Sequence, residues 1–450
     1  MILIQNGAII TLDDNGQIFE PGYLTIEGDR ITAVEKGFPD QKVLESATET
    51  IDASHKIVMP GLVNAHTHLF QTFLRGLGDG KPLQQWLEAY IWPFSSKMGV
   101  YEAQLAALIG LVENIHSGST AVIDNQYVHN TPEMDDVFCQ AAVQTGVRYL
   151  MARGWADRNY HPAFIETGEK IIERVGSLIE RWNRHESGRI RVEFGPLSQP
   201  RCSIDTFEKM IRFARQWNVG IHMHTSETTI QTNQCIDETG LRTIEWLESL
   251  NCLDENTRLV HCVWLSDYEI ELISKRRAKV IHCPVSNMIL ASGTARVPDM
   301  LKQGVSVALA TDGPGSNNNQ DMIETLKTTL LLHKITAMDA MALTPETVLW
   351  MACRNGAEAF GLPGQIGSLE KGKKADVILV DSFSSFAYPI HRVATTLTYN
   401  LHGSDVDTVM VGGQFLMKNK KITMLDEAYL LEECEQARKS LLKRAGLVSS

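Results

Sequence analysis

The chain has 450 residues, 44% of them hydrophobic and 21% charged, enough to bury a large core and too apolar for disorder. Its formal net charge of −12 has the wrong sign for a nucleic-acid or anionic-membrane footprint, so neither partner is expected. No stretch reaches the ~18 apolar residues of a membrane span, and eight cysteines without a CxxC pair suit reduced thiols in a cytoplasmic protein.

Met1–Ile10 is apolar but lacks a basic flank and a cleavage site, so it does not read as a signal peptide. Ile2–Ile4 and Ala8–Leu12 flank the turn dipeptide Asn6-Gly7, which predicts a hairpin. Leu24–Glu27 and Arg30–Val34, around Gly28-Asp29, predict a second. From residue 59 short β-rich runs alternate with amphipathic helices. The runs are Leu62–His66, Thr120–Asp124, Arg148–Gly154, Ile190–Leu197, Gly220–His224, Arg258–Cys262, Lys279–Cys283 and Val305–Asp312. Between them, Tyr101–His116 is rich in Ala and Leu, and Phe207, Met210, Ile211, Ala214 and Trp217 share one helical face. Eight strands alternating with helices is the pattern of parallel βα units, and eight is the number that closes a barrel.

After residue 365 strands return at Lys374–Asp381 and Asp407–Gln414, the KGKK run at 371–374 reads as a solvated turn, and Asp426–Ala445 reads as a polar helix. The expected fold is therefore α/β, with a (β/α)8 barrel over 59–365. Residues 1–58 and 366–425 would form a composite β-sandwich domain whose edges pair with each other, and 426–450 a C-terminal helix. Length alone allows about three domains; this pattern gives two.

Polar residues collect at the predicted strand ends. His66 and His68 follow the first barrel strand, and positions i and i+2 of an extended chain point the same way about 6–7 Å apart, close enough to share one cation. His224 ends the fifth strand, His261 the sixth, His282 lies near the end of the seventh, and Asp312 ends the eighth. One strand-end histidine is ordinarily a packed core residue, and His-x-His alone is a weak motif. Several on the common rim of a parallel barrel are a different matter, because they converge. Imidazoles with a carboxylate suit zinc or ferrous iron and fit magnesium or calcium poorly. No lysine lies near the end of the fourth strand to bridge a second ion, so one divalent metal is expected. Glu227, three residues after His224, can act on the activated water; its bland alternative is a glutamate at a helix N-terminus.

The segments PGLVNAHTH, HMHTSE, the HC at 261–262, HCPVSN, ATDGPGSNNN and KGKKADVILVD together resemble the amidohydrolase superfamily, in its branch of nucleoside and heterocycle deaminases and triazine hydrolases. The resemblance spans essentially the whole chain and implies a TIM barrel with a β-sandwich domain from both chain ends. It makes His66, His68, His224 and Asp312 the metal ligands, with zinc expected first and iron as the alternative. It assigns proton shuttling to Glu227, polarisation of water or substrate to His261, and a share of proton return to Asp312. The implied reaction is hydrolytic deamination of a heteroaromatic ring by metal-activated water, with release of ammonia.

Candidate pocket walls are Gln71, Arg75, Trp86, Trp92, Ser95, Arg153, Leu197 and Asn287, where aromatics suit a flat ring and Gln71 or an arginine can read ring oxygens. Methylthioadenosine/S-adenosylhomocysteine deaminases usually carry Glu after the Trp-Pro segment to bind ribose, and His after Gly-Pro on the fourth strand. This chain has Ser95 and Leu197 there, which favours a free purine, a pterin-like base or a triazine. The alternatives are a triazine-type hydrolase displacing chloride or alkylamine, an adenosine-derivative deaminase of that kind, and an inactive scaffold of the same fold. Relatives lead one to expect a homo-oligomer acting on a small heterocyclic molecule.

Overall fold

A computed structural model of the chain describes residues 1–183 and 185–447. Five strands come first: β1 Ile2–Ile10, β2 Ile18–Glu27, β3 Arg30–Lys36, β4 Glu49–Asp52 and β5 Lys56–Pro60. Eight more follow: β6 Leu62–Thr67, β7 Ser119–Gln126, β8 Arg148–Trp155, β9 Ile190–Pro196, β10 Ile221–Thr225, β11 Thr257–His261, β12 Lys279–His282 and β13 Val307–Leu309. These eight pair in parallel, each with its sequence neighbour, and the Asp312 amide donates to the His66 carbonyl at 3.0 Å across the seam between first and last. This is a TIM barrel. Val63, Ala65, Ala121, Ile123, Leu150, Ala152, Val260, Ile281 and Ala308 form one buried cluster, capped by Ala357 and Phe360 of the helix Gly356–Phe360. The alternating positions, among them Leu62, Val122, Tyr149, Met151, Leu259 and Val280, join the larger cluster shared with the helices.

Each predicted barrel strand is present within a few residues. The last is shorter than expected, Val307–Leu309, and Asp312 beyond it turns into the left-handed region at φ 64°.

The chain ends meet in the second sheet. Strand β5 pairs antiparallel with β14 (Val377–Asp381), Pro60 opposite Val377, and β14 continues through β15 (Val406–Val411) and β16 (Gln414–Lys418) to β17 (Lys421–Ile422). Together with β1–β5 they form one nine-stranded sheet built from both chain ends, with a core of its own that includes Ile4, Ile9, Leu24, Ile26, Val58, Val377 and Leu379. The KGKK turn is more than a solvated loop: Gly372 and Ala375 donate to the carbonyls of Ile31 and Asp29, stitching the two ends together.

The Asn6-Gly7 hairpin is corrected. Strand β1 runs through these residues as a bulge, with Asn6 at φ 68°, and there it changes partner from β4 to β5. A Cβ at Gly7 would come within 2.8 Å of Val58 Cγ2 and 3.0 Å of Ala53 Cβ, so glycine serves close approach at a bulge and not a turn. The Gly28 hairpin is present, with Glu27 opposite Arg30.

The C-terminal helix, Glu427–Arg444, buries Leu430, Cys434, Ala437 and Leu441 on one face. His116 and Glu102 of the helix Val100–His116 bond to its Glu427 and Arg444. Residues 448–450 of the predicted segment lie outside those described. No described helix is long and apolar enough to cross a membrane.

Candidate metal centre and active site

The barrel rim gathers the polar strand ends. His66, His68 and His224 present nitrogens that all lie within 4.8 Å of one another, as do the ligand atoms of His66, His261 and Asp312. Asp312 Oδ1 stands 3.5 Å from His66 Nε2 and 3.4 Å from His68 Nε2, and His224 Nε2 stands 3.3 Å from His68 Nε2.

The inward aim of each ring is fixed from behind. His68 Nδ1 donates to the Asn125 carbonyl at 2.7 Å and His224 Nδ1 to the Leu197 carbonyl at 2.9 Å, which leaves both Nε2 lone pairs facing the centre. His66 Nδ1 meets His222 Nε2 at 2.8 Å. The Asp312 carboxylate accepts from Ser286 Oγ at 2.7 Å and from the Gly313 amide at 2.6 Å. Left-handed backbone at His261 (φ 72°) and Asp312 (φ 64°) turns these side chains at the rim, strain of the kind that collects at functional sites.

These residues fit a metal ion. His66 Nε2 is buried without a hydrogen-bond partner, an unfavourable state for an imidazole nitrogen unless a cation takes its lone pair. Burial, reinforced by the charge of His66, pushes His68 down to about 3, so that ring is neutral and able to ligate at any working pH. Burial opposes ionisation of Asp312, but the His66 imidazole 3.5 Å away and the other imidazoles around it hold its carboxyl well below the usual range. Three imidazoles and a carboxylate form a donor set suited to zinc or iron.

Glu227 lies in the loop between β10 and the helix Thr229–Thr239. Its Oε2 is 3.8 Å from His261 Nε2, and its Oε1 accepts from Ser292 Oγ at 3.2 Å. Burial raises the carboxyl's pKa against the pull of the His261 charge, which moves it toward the value a proton shuttle needs. Both residues open onto a cleft of about 570 Å³, together with His68, His224 and Asp312.

The expected pocket residues divide. Gln71, Trp86 and Leu197 line the cleft. Arg75 does not: it is partly exposed and paired with Glu113. Trp92 packs edge-on against Tyr160, which itself lines the cleft. Ser95 is fully buried away from it, where its carbonyl accepts from Asn130. Asn287 stands behind the rim, its Oδ1 accepting from His261 Nδ1 at 2.9 Å, so it orients His261 instead of forming a wall.

Arg153 is the clearest correction. It is completely buried, bonded to Glu166 at 2.5 Å and Asp135 at 3.3 Å, and it belongs to the barrel's packing. Arg153→Met should cost about 3 kcal/mol of stability, as removal of one partner from a buried ion pair does, and leave KM within twofold; urea unfolding and steady-state kinetics check both.

His282 also stays off the cleft, its Nε2 3.1 Å from His333 Nε2. Tyr127, Tyr160 and Gln231 line the cleft without having been singled out. Tyr127, two residues beyond Asn125 at the end of β7, obeys the same strand-end rule that found the histidines.

The chain matches the Amidohydrolase family over residues 57–416. It is 34% identical over 443 residues to a 5-methylthioadenosine/S-adenosylhomocysteine deaminase of Thermoanaerobacter pseudethanolicus, covering 98% of this chain and 100% of that one. It is 37% identical to a 5'-deoxyadenosine deaminase of Methanobrevibacter smithii, over 98% of both chains. Among solved structures, an adenosine deaminase from Xanthomonas campestris with bound zinc superposes with a TM-score of 0.92 at 29% identity, over 98% of each chain. A zinc-containing atrazine chlorohydrolase variant from Arthrobacter aurescens gives 0.91 at 25% identity, over 97% of this chain and 100% of that one. The chain belongs to the amidohydrolase family and is a hydrolase of carbon–nitrogen bonds.

Proposed function

We propose that the protein is a metal-dependent deaminase of a heteroaromatic amine, with His66, His68, His224 and Asp312 holding one divalent ion, zinc before iron. The observation that carries this reading is the buried Glu227 carboxyl beside His261, opening onto the same cleft as the ligand atoms.

When bound, the ion supplies Lewis acidity that brings the pKa of a water molecule toward ~7. Glu227 is placed to take one proton from the attacking water and deliver it to the ring nitrogen next to the attacked carbon. Asp312, kept ionised by its neighbours, accepts the second proton and passes it to the exocyclic amine, which departs as ammonia while the ring carbon keeps the oxygen. His261, oriented by Asn287, steadies the Glu227 carboxylate and the oxygen being added. Tyr127, Tyr160 and Trp86 offer flat faces to a ring, and Gln71, whose Oε1 is buried without a partner, offers an acceptor to a ring N–H.

Two substrate classes compete. A purine or pterin-like base without sugar suits the apolar wall of Leu83, Leu87, Leu197 and Leu290, and among the described residues no carboxylate but Glu227 and Asp312 lines the cleft to hold a ribose diol. A 5'-modified adenosine is favoured by the names of full-length relatives. An ammonia-release screen over free purines, pterins, triazines and 5'-deoxyadenosine decides. Sugar-free bases are expected to give the higher kcat/KM, and turnover confined to adenosine derivatives would reverse that order. Chloride release without ammonia from a matched triazine pair would replace deamination by halide displacement.

A further inference from the structure

TIM-barrel interiors are ordinarily filled by layers of aliphatic side chains. This one carries a polar column down its axis. Beneath His66, His222 Nε2 meets His66 Nδ1 at 2.8 Å; His222 Nδ1 faces Glu193 Oε1 across 3.9 Å; and Glu193 Oε2 accepts from Arg258 Nη1 at 2.6 Å. All four side chains are buried, and Arg258 is tied off at the N-terminal end of the barrel by the carbonyls of Ala359 and Asn256. Room for the pair is made by Gly220, where a Cβ would come within 1.9 Å of Arg258 Nη1 and 2.4 Å of Glu193 Oε2.

Stability does not account for this column. A buried ion pair roughly breaks even against aliphatic packing or loses to it, and here burial works against the Glu193 charge that Arg258 and Arg191 favour. What the column does have is direction. A ligating His66 uses Nε2, so its Nδ1–H must donate to His222 Nε2; His222 then carries its own hydrogen on Nδ1, toward the carboxylate. A negative group below His222 favours that tautomer over the reverse, which would set two N–H hydrogens against each other.

We propose that His222, Glu193 and Arg258 are positioning residues that lock His66 in its metal-binding tautomer, so that metal affinity is set from the far end of the barrel. This rests on His66 being a ligand and not on the identity of the substrate.

The test is zinc affinity, measured by competition with a chromophoric chelator on protein stripped of metal, together with the visible spectrum of the cobalt-substituted protein. Glu193→Gln and His222→Leu should each weaken zinc binding by 10- to 100-fold, the range seen when the outer partner of a metal-bound histidine is removed, and should shift the cobalt bands. His222→Gln, which can accept from His66 and donate to Glu193 together, should recover most of the affinity. Glu193→Gln/Arg258→Gln removes both charges, so no orphaned ion confuses folding with binding; weakened affinity is expected there too. Zinc affinities within twofold of the parent in Glu193→Gln, His222→Leu and the double variant would overturn the proposal. A parent that takes up no zinc or cobalt would instead remove the metal site itself, and the proposed function with it.

Discussion

Glu227→Gln is expected to lower kcat by about 10²- to 10⁴-fold, the share commonly carried by one positioned acid–base group, while the protein keeps one metal ion per chain. The substitution preserves the side chain's shape and its contact with Ser292 Oγ but removes the ability to take and give a proton. Its carboxyl belongs to neither group of clustered ligand atoms, which are drawn from His66, His68, His224, His261 and Asp312. Metal content and ammonia release measured on the same sample separate the two roles. Loss of metal would make Glu227 a ligand, and full activity would remove it from the mechanism. KM should change little, since the carboxyl acts on protons that move after binding.

His224→Ala should abolish turnover and leave the protein with little metal. The ring's Nδ1 is anchored on the Leu197 carbonyl and its Nε2 faces His68, so alanine removes a donor without disturbing the strand that carries it. The parent should also melt higher with zinc than after chelation, because a ligand at 100 times its Kd stabilises the state that binds it by about 2.7 kcal/mol. That difference should vanish in His224→Ala. Differential scanning fluorimetry with and without chelator reads it directly, and an unchanged zinc-dependent shift in the variant would show that the ion binds elsewhere.

Much of the fold and the centre of the site could be read from residue order. Parallel strands place their ends on one rim whatever the loops do, so His66, His68, His224, His261 and Asp312 could be brought together from strand positions alone. The walls could not. Whether a side chain on a βα loop faces the cleft depends on the loop's path and on competing partners. Arg153 found two carboxylates below the rim, Arg75 found Glu113, and Asn287 found the back of His261. Ser95 sits after a Trp-Pro pair as the comparison with ribose-binding relatives assumed, yet its hydroxyl is enclosed where no substrate reaches. The bulge at Asn6 shows the same limit locally. Its dipeptide is a turn former, and only the exchange of strand partners makes it a kink in a continuous strand.

The pairing of β5 with β14 also orders events during synthesis. Pro60 lies opposite Val377, so the first five strands emerge from the ribosome long before the edge they complete. At about 5–20 residues per second that interval is roughly 15 s to a minute. The barrel's first strand follows β5 directly, so the nascent chain holds an open, apolar strand edge beside a half-built barrel throughout. A stop codon upstream of β14 would leave that edge permanently unpaired. Truncated chains of this protein should therefore collect in inclusion bodies even when every metal-binding residue has already been translated.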